Sequence, residues 1–328
     1  MAYVSHGFSP KEWKVAIVSD ATNAGATGIG STMLQLDVDS VSMPSLNPNQ
    51  VLDVRTGAGR TFKDEDFFQD NTLKVSEISL SGTMHLDSGH KLLLQNICND
   101  VTTDIAVAHT FTPASQKYGS SVANAASSLT LVMQPSDVTN QQGMEFFGCV
   151  VTSFTLSADS TTEGGRYKFS VTLQTGKVPD LASTATPTIT AYANTTDCFL
   201  SSASGIKVYA TEAIMQSFAV TIENPAVFTG FESTGYQTIN RGAEIAVTAE
   251  TSVKYDGNTQ GLINSFGTQT SHLAGNALTI TNNNAYGVAM PNAVLTDVSL
   301  NEGDIMMLDV AMKAVDKGED LITFDVSS

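Results

Sequence analysis

The chain has 328 residues, 41% of them hydrophobic and 15% charged, the balance of a folded protein long enough for two domains with proper cores. Lys and Arg number 16 against 33 Asp and Glu, a formal net charge of −17, which argues against a nucleic-acid grip built on phosphate neutralisation but leaves open a surface that lets DNA pass without holding it. Cys98, Cys149 and Cys198 are an odd set without CxxC spacing, so neither a disulfide framework nor a zinc knuckle is written here.

The opening "MAYVSHGFSPKEWK" lacks the basic-then-apolar order of a signal peptide, and no apolar run approaches the roughly 18 residues of a membrane helix. The expectation is a soluble protein with no membrane partner, without Sec-type export. Residues 25–30, "GATGIG", have the order GxxGxG with no strand-loop-helix unit around them, and read as part of a flexible arm rather than a nucleotide loop. "MLQLDVDSV" from Met33 then alternates as one strand with a buried face. A long connection comes next, from residue 42 to the next strand near 76. Its "TGAGRT" (56–61) lacks the GK[ST] ending of a phosphate loop. Its "KDEDFFQD" lacks the alternating ligands and central glycine of a calcium loop. A connection of this length inside a compact domain has a job or is disordered.

"EISLSGTMHLDSGHKLLLQNI" from Glu77 predicts a strand, a turn at Gly89 and a short helix. Asp87 or Ser88 caps that helix, and Leu93, Leu94 and Ile97 form its buried stripe. His85 and His90 are five apart across the turn, a spacing without metal meaning, and are read as solvent-facing. "VVTSFTLSADSTTEGGRYKFSVTLQ" (150–174) predicts two alternating strands around a polar glycine-containing loop. The Thr-, Ser- and Ala-rich segment 177–213 reads as an inter-domain linker and the entry of a second copy, with "TITAYA" as a possible strand.

In that second copy the same elements return. "MQSFAVTIE" from Met215 matches the strand from Met33, with Pro225 to Arg241 as a shorter version of the long connection. "EIAVTAETSVKYDGNTQGLINSF" from Glu244 matches the strand, turn and helix from Glu77, with Gly257 in the turn, Asn258 as cap and Leu262 and Phe266 in the stripe. "AVLTDVSLNEGDIMMLDVAMKAV" (293–315) repeats the hairpin: aligning Thr152 with Thr296 puts Phe154 and Leu156 on Val298 and Leu300. Past the loop, Phe169, Val171 and Leu173 fall on Leu308, Val310 and Met312. The expected architecture is mainly β, with two tandem β-sandwich or barrel-like domains, each carrying one short α-helix. The expected division is 1–176, with an N-terminal arm and the long loop at 42–76; 177–213; and 214–328. A fused pair of small β units is best explained by a ring, in which three chains give pseudo-sixfold symmetry.

Ser, His and Asp are scattered without a nucleophile elbow or another local signature of covalent catalysis, so no catalytic residue, metal site or cofactor is assigned. The polar faces of the strands carry Asp37, Asp39, Glu77, Glu244, Glu250, Asp297 and Asp309, with Lys168, Lys254 and Lys313 the few bases among them. These faces are either an ordinary wet side of a sheet or the acidic wall of a channel that repels phosphates.

Two stretches, "RTGAGRTFKDEDFFQDNTLKVSEISLSGTMHLDSGHKLLLQNI" (55–97) and "GCVVTSFTLSADSTTEGGRYKFSVTLQTG" (148–176), with the opening "GFSPKEWKVAIVSD", resemble the major tail tube proteins of long-tailed phages. The version resembled is the one with two fused tube domains. The resemblance implies a structural virion protein without enzymatic activity, made in the host cytoplasm and placed in the virion tail. It implies homotrimeric rings that stack into a tube, beside tape measure, distal tail and tail terminator proteins, with double-stranded DNA passing through without specific binding. It also implies that the long loop reaches the next ring, through Arg55, Arg60, Lys63, Asp64, Glu65 and Asp66, while the acidic residues above line the lumen. The short second loop departs from this pattern and puts equal stacking by both copies in doubt. The rival readings are a distal tail or baseplate hub ring that does not polymerise, and a carbohydrate-binding surface module. The second is disfavoured because the sole Trp13 lies in the N-terminal arm. A tube of a secretion or contractile injection system differs from these only in context.

Overall fold

The computed structural model describes residues 10–20, 32–43, 50–52, 61–63, 66–69, 75–99, 109–113, 128–138, 142–192, 197–232, 235–242, 244–268, 276–283 and 285–326. Two sheet layers enclose one continuous apolar core. In chain order the first copy contributes β1 (Trp13–Ser19), β2 (Met33–Gln35), β3 (Val38–Ser42), β4 (Gln50–Leu52), β5 (Phe67–Gln69), β6 (Ser76–Thr83), α1 (Ser88–Cys98), β7 (His109–Phe111), β8 (Leu129–Pro135), β9 (Gly143–Asp159) and β10 (Lys168–Thr175). The middle segment holds β11 (Asp180–Ser183), β12 (Ile189–Thr190), β13 (Gly205–Val208) and β14 (Thr211–Glu212). The second copy contributes β15 (Met215–Glu223), β16 (Ala226–Glu232), β17 (Gly235–Arg241), β18 (Ala246–Lys254), α2 (Gln260–Thr268), β19 (Leu278–Thr281), β20 (Tyr286–Met290), β21 (Ala293–Glu302), β22 (Met306–Ala314) and β23 (Thr323–Val326). The chain is mainly β, with two α-helices among the described residues and a sandwich arrangement, as its composition of short alternating runs predicts.

One layer is an antiparallel sheet in the order β3-β6-β10-β9-β15-β18-β22-β21. Its first four strands come from the first copy and its last four, in the same relative order, from the second. The copies meet where β9 pairs β15, from Asp159↔Ser217 to Ser153↔Glu223. The repeat extends to the irregularities. Thr152 is the unpaired bulge residue where β9 faces Thr172 and Leu173, and Thr296 is the bulge where β21 faces Ala311 and Met312. Asp39 is the bulge of β3 and Gln216 that of β15. β-Bulges pin register and bend a strand, so four matching bulges mean that the two copies curve alike.

Those bulges also correct two sequence alignments. "MLQLDVDSV" is not one strand: it breaks at Leu36–Asp37 into β2 and β3, and Val38, not Met33, is the counterpart of Met215. The second strand is likewise offset, with Gly82 equivalent to Val253. A Cβ on Gly82 would lie 1.9 Å from the Asp37 carbonyl oxygen, so β3 approaches β6 here closer than any side chain permits.

The second layer differs between the copies. In the first, the order is β12-β2-β1-β8-β9, and β11 also pairs β9. β9 reaches both layers because it turns at Gly148, whose φ of 58° is strained for any residue with a side chain. In the second, the order is β14-β13-β19-β20-β23-β7. Here β7 of the first copy closes onto β23 near the chain's end, at Phe324↔Phe111. Segment 177–213 therefore carries four strands, two in each outer sheet, and the copies interlock.

The helices pack between the layers. Leu93, Leu94 and Ile97 of α1 are fully buried against Phe154 and Val151 of β9 and the outer-sheet residues Ile17 and Leu131 in one cluster. Gly89 lies inside α1, not in the preceding turn. Asp87 stands at the N-cap, but its side chain makes no capping hydrogen bond to the helix. At the start of α2 the cap is Asp256 with Thr259 rather than Asn258: Asp256 Oδ1 accepts from the Asn258 and Thr259 N–H groups, and Thr259 Oγ1 accepts from the Asp256 N–H.

Candidate functional site

Alternation gives the eight-stranded sheet a face turned away from the core, and cross-strand register shows what lies on it. Reading across, Ser40, Ser81, Ser170, Thr155, Thr221, Thr248 and Lys313 form one row. The next row is Thr83, Lys168, Ser157, Ala219, Glu250, Ala311 and Asp297. The face is thus mostly hydroxyl, with carboxylates spaced along it and no large apolar side chain in these rows. The sheet curves so that Ser157, Asp159, Lys168, Ser217, Glu250, Ser252, Asp297 and Asp309 line a broad concavity. Several charges are tethered: Lys168 Nζ lies 3.1 Å from Asp39 and 2.9 Å from Glu163, and Ser252 Oγ donates to Asp309 at 2.6 Å. Burial alone would lower the Lys168 ammonium, but its bonds to Glu163 and Asp39 leave its pKa above the ordinary value.

Both ends of this sheet are open: no described strand pairs the outer edge of β3 or of β21. Beside these edges Val38, Val41 and Val298 are half-buried, whereas Met43, just past β3, is 41% exposed and Leu300 on β21 is 43% exposed. Exposed sheet edges are sticky unless something uses them. A third unsatisfied surface lies on the long connection, which carries the β4–β5 ribbon. There Phe62 (68% exposed) and Phe67 (46%) pack edge to face, ring centres 6.3 Å apart.

A polar concave sheet with two open edges and an apolar-tipped loop is built to assemble, and the comparison with known families agrees. The family model described as phage tail tube protein matches residues 66–323. The chain belongs to the phage tail tube protein family. No curated protein matches it. The tail tube family is a structural, non-enzymatic kind of protein that assembles with other tail proteins into the multimeric tube of a virion tail. Among the described residues there is no helix long and apolar enough to cross a membrane, and no His, Cys, Asp and Glu cluster placed to hold a metal ion.

The residues singled out for a tube role fall in different places. Asp39, Glu77, Glu250, Asp297 and Asp309 are on the polar face. Glu244 is exposed but precedes β18 by two residues. Asp37 points elsewhere: its carboxylate lies 2.9 Å from Nε2 of His85. The sequence reading missed Asp159 and Glu223, which the β9–β15 register puts on the same face; both stand in the alternating runs and were legible there. Of the loop residues, Lys63 is exposed. Asp66 is buried and accepts a bond from the Lys63 N–H at 2.8 Å, closing a local turn. Arg55, Arg60, Asp64 and Glu65 lie outside the described residues.

His85 and His90 are not solvent-facing. Both are fully buried. His85 lies between two carboxylates, Asp37 on Nε2 and, in ion-pair rather than hydrogen-bond orientation, Asp197 at 2.9 Å from Nδ1. Tyr192 stacks on its ring at 4.9 Å. Arg166 Nη2 donates to the other oxygen of Asp197 at 2.8 Å. His90 takes the Asp37 N–H on Nε2 at 3.4 Å. Burial, then the neighbouring His85, push its pKa down to about 3, so His90 is a neutral acceptor at ordinary pH. This cluster fastens the start of β3 to the segment before Cys198.

A second buried node joins the copies. Arg241, at the end of β17 and 2% exposed, donates to the carbonyls of Val151 at 2.7 Å, Asn96 at 2.9 Å and Asn224. Asn96 Oδ1 accepts from the Val151 N–H, and Asn224 Nδ2 donates to the Ile97 carbonyl. These groups are the backbone freed by the bulge at Thr152 and the last carbonyls of α1. No carboxylate among the described residues pairs with Arg241, and burial lowers its pKa to about 9.

Proposed function

We propose that this chain is the major tail tube subunit: three copies close a pseudo-sixfold ring, rings stack into a tube, and the polar sheet faces line a lumen that conducts phage DNA. The observation that carries this reading is the eight-stranded sheet, in which two equivalent four-stranded units already sit side by side with an open edge at each end. A heterologous contact of β21 with β3 of the next chain repeats the internal junction, and a repeated rotation that closes gives a ring. Three chains then supply six equivalent units.

The lumen wall in this reading is largely Ser and Thr, with Asp39, Glu77, Glu250, Asp297 and Asp309 as fixed negative charges. Hydroxyls offer a duplex no strong hold, and carboxylates repel its phosphates, the reverse of a DNA-binding surface. Asp37, held by His85, has a structural role and is not among the lumen residues. The long loop at 42–76 stacks one ring on the next. Phe62 and Phe67 provide its apolar contact, alongside the charged residues Arg55, Arg60, Lys63, Asp64 and Glu65, whereas Asp66 shapes the loop. The shorter counterpart in the second copy, the β16–β17 hairpin, is occupied in fastening the copies through Arg241. Stacking in this account therefore falls chiefly to the first copy. The subunit is made in the host cytoplasm and meets the tape measure, distal tail and terminator proteins during assembly.

Charge reversal tests the lumen. Glu250→Lys with Asp297→Lys should leave tube length and diameter unchanged by electron microscopy while slowing DNA ejection, most at low ionic strength where phosphate attraction is least screened. Loss of ring formation in that variant would place the two residues in a subunit contact instead.

A further inference from the structure

The internal junction predicts, residue by residue, how one chain meets the next. This inference rests on the ring reading and adds to it the register of the contact. The four matched bulges set the equivalences: β21 residues are β9 residues advanced by 144, from Thr152 and Thr296, and β3 residues are β15 residues moved back by 177, from Gln216 and Asp39. In the internal junction Ser217 faces Asp159, Phe218 faces Ala158, Ala219 faces Ser157 and Val220 faces Leu156. Carried to the open edges, these pairs become Ser40 with Gly303, Val41 with Glu302, Ser42 with Asn301 and Met43 with Leu300.

The last pair is an independent check. Exposure played no part in deriving the register, yet it brings the exposed apolar side chain beside β3, Met43, opposite the exposed apolar side chain of β21, Leu300. Their internal counterparts, Val220 and Leu156, are both fully buried in the core. A slip of one residue would send one of the two to the polar face, because side chains alternate. A slip of two one way would set Met43 against Glu302; the other way it would set Met43 against the half-buried Val298 and Leu300 against the half-buried Val41, so that the two exposed side chains no longer meet. We infer that β3 of one chain adds to β21 of a second copy in this register, with Met43 and Leu300 of adjacent chains in cross-strand contact, where the apolar layer continues from subunit to subunit.

The sequence also limits the length of the contact. The internal junction runs on for three further pairs, to Glu223↔Ser153. The residue after Met43 is Pro44, which has no N–H to give a ladder. The junction between chains is therefore shorter than the junction within one.

Paired cysteines read the register. Directly opposed residues of antiparallel strands have Cα atoms roughly 4.5–5.5 Å apart, within disulfide range. The native Cys98, Cys149 and Cys198 are buried. Met43→Cys with Leu300→Cys in one chain, oxidised after assembly, should give covalent dimers and trimers on non-reducing gels. The yield should be several-fold that of Met43→Cys with Glu302→Cys, a pair on the same face slipped by two residues. Both sites are exposed, so the core is unaltered; mixing the two single variants should give dimers only. Stronger linking of the slipped pair, or tubes in which neither pair links, would overturn the register while leaving the tube intact. Wild-type protein that never forms rings would overturn the ring reading itself.

Discussion

Arg241 shows what a single buried charge does in this fold. It donates to three buried carbonyls, that of Asn96 shared with the Asn99 N–H, at the point where β9 bulges, α1 ends and the second copy begins. Arg241→Met should cost about 3 kcal/mol or more of stability in chemical denaturation, since buried acceptors are left unsatisfied. Arg241→Lys should recover only part of that, because an ammonium lacks the guanidinium's fork. His90 makes a second prediction. Its pKa is about 3 in the folded chain against 6.5 as an ordinary histidine, so between those values the unfolded chain binds the extra proton. The stabilisation is present above about pH 6.5 and drains away as pH falls towards 3. The melting midpoint of the monomer should drop over that window, and His90→Gln, which keeps an acceptor but does not titrate, should flatten the drop.

Elements in this chain are legible where one strand face is apolar. Phe154, Leu156, Val171 and Leu173 alternate with Ser and Thr, so both hairpins and their equivalence were readable, as were both helices. The break between β2 and β3 was not, because "MLQLDVDSV" alternates without interruption. What divides it is a long-range fact, the His85 and His90 cluster seizing Asp37 from 48 and 53 residues away. The same distance hides the burial of those histidines. The cap of α2 was misread for a more local reason: Thr259 lies at the cap and answers Asp256, a reciprocal pair that competes with the neighbouring Asn258. The long loop was read by its charges, whereas the structure exposes its aromatics. Phe62→Ser with Phe67→Ser should therefore leave single rings intact but shorten or abolish tubes, measured as the tube-length distribution in micrographs. Tubes of unchanged length would return the stacking role to the charges.

At the scale of the whole molecule, the two copies are less separable than their sequences suggest. β7 of the first completes the outer sheet of the second, and the segment between them supplies strands to both outer sheets. The interlocked pair presents one continuous polar face with a donor edge and an acceptor edge, and this explains why the hairpin is spelled twice in one chain. In the proposed ring, half of the junctions are made within a folded subunit, and only the other half await a partner. The most direct test is electron microscopy of the purified protein at high concentration, with class averages of end-on views, paired with its mass in dilute solution. The account predicts hollow tubes of stacked rings with three chains and sixfold-like outline each. A uniform monomer at every concentration, or a closed ring that never stacks, would contradict it.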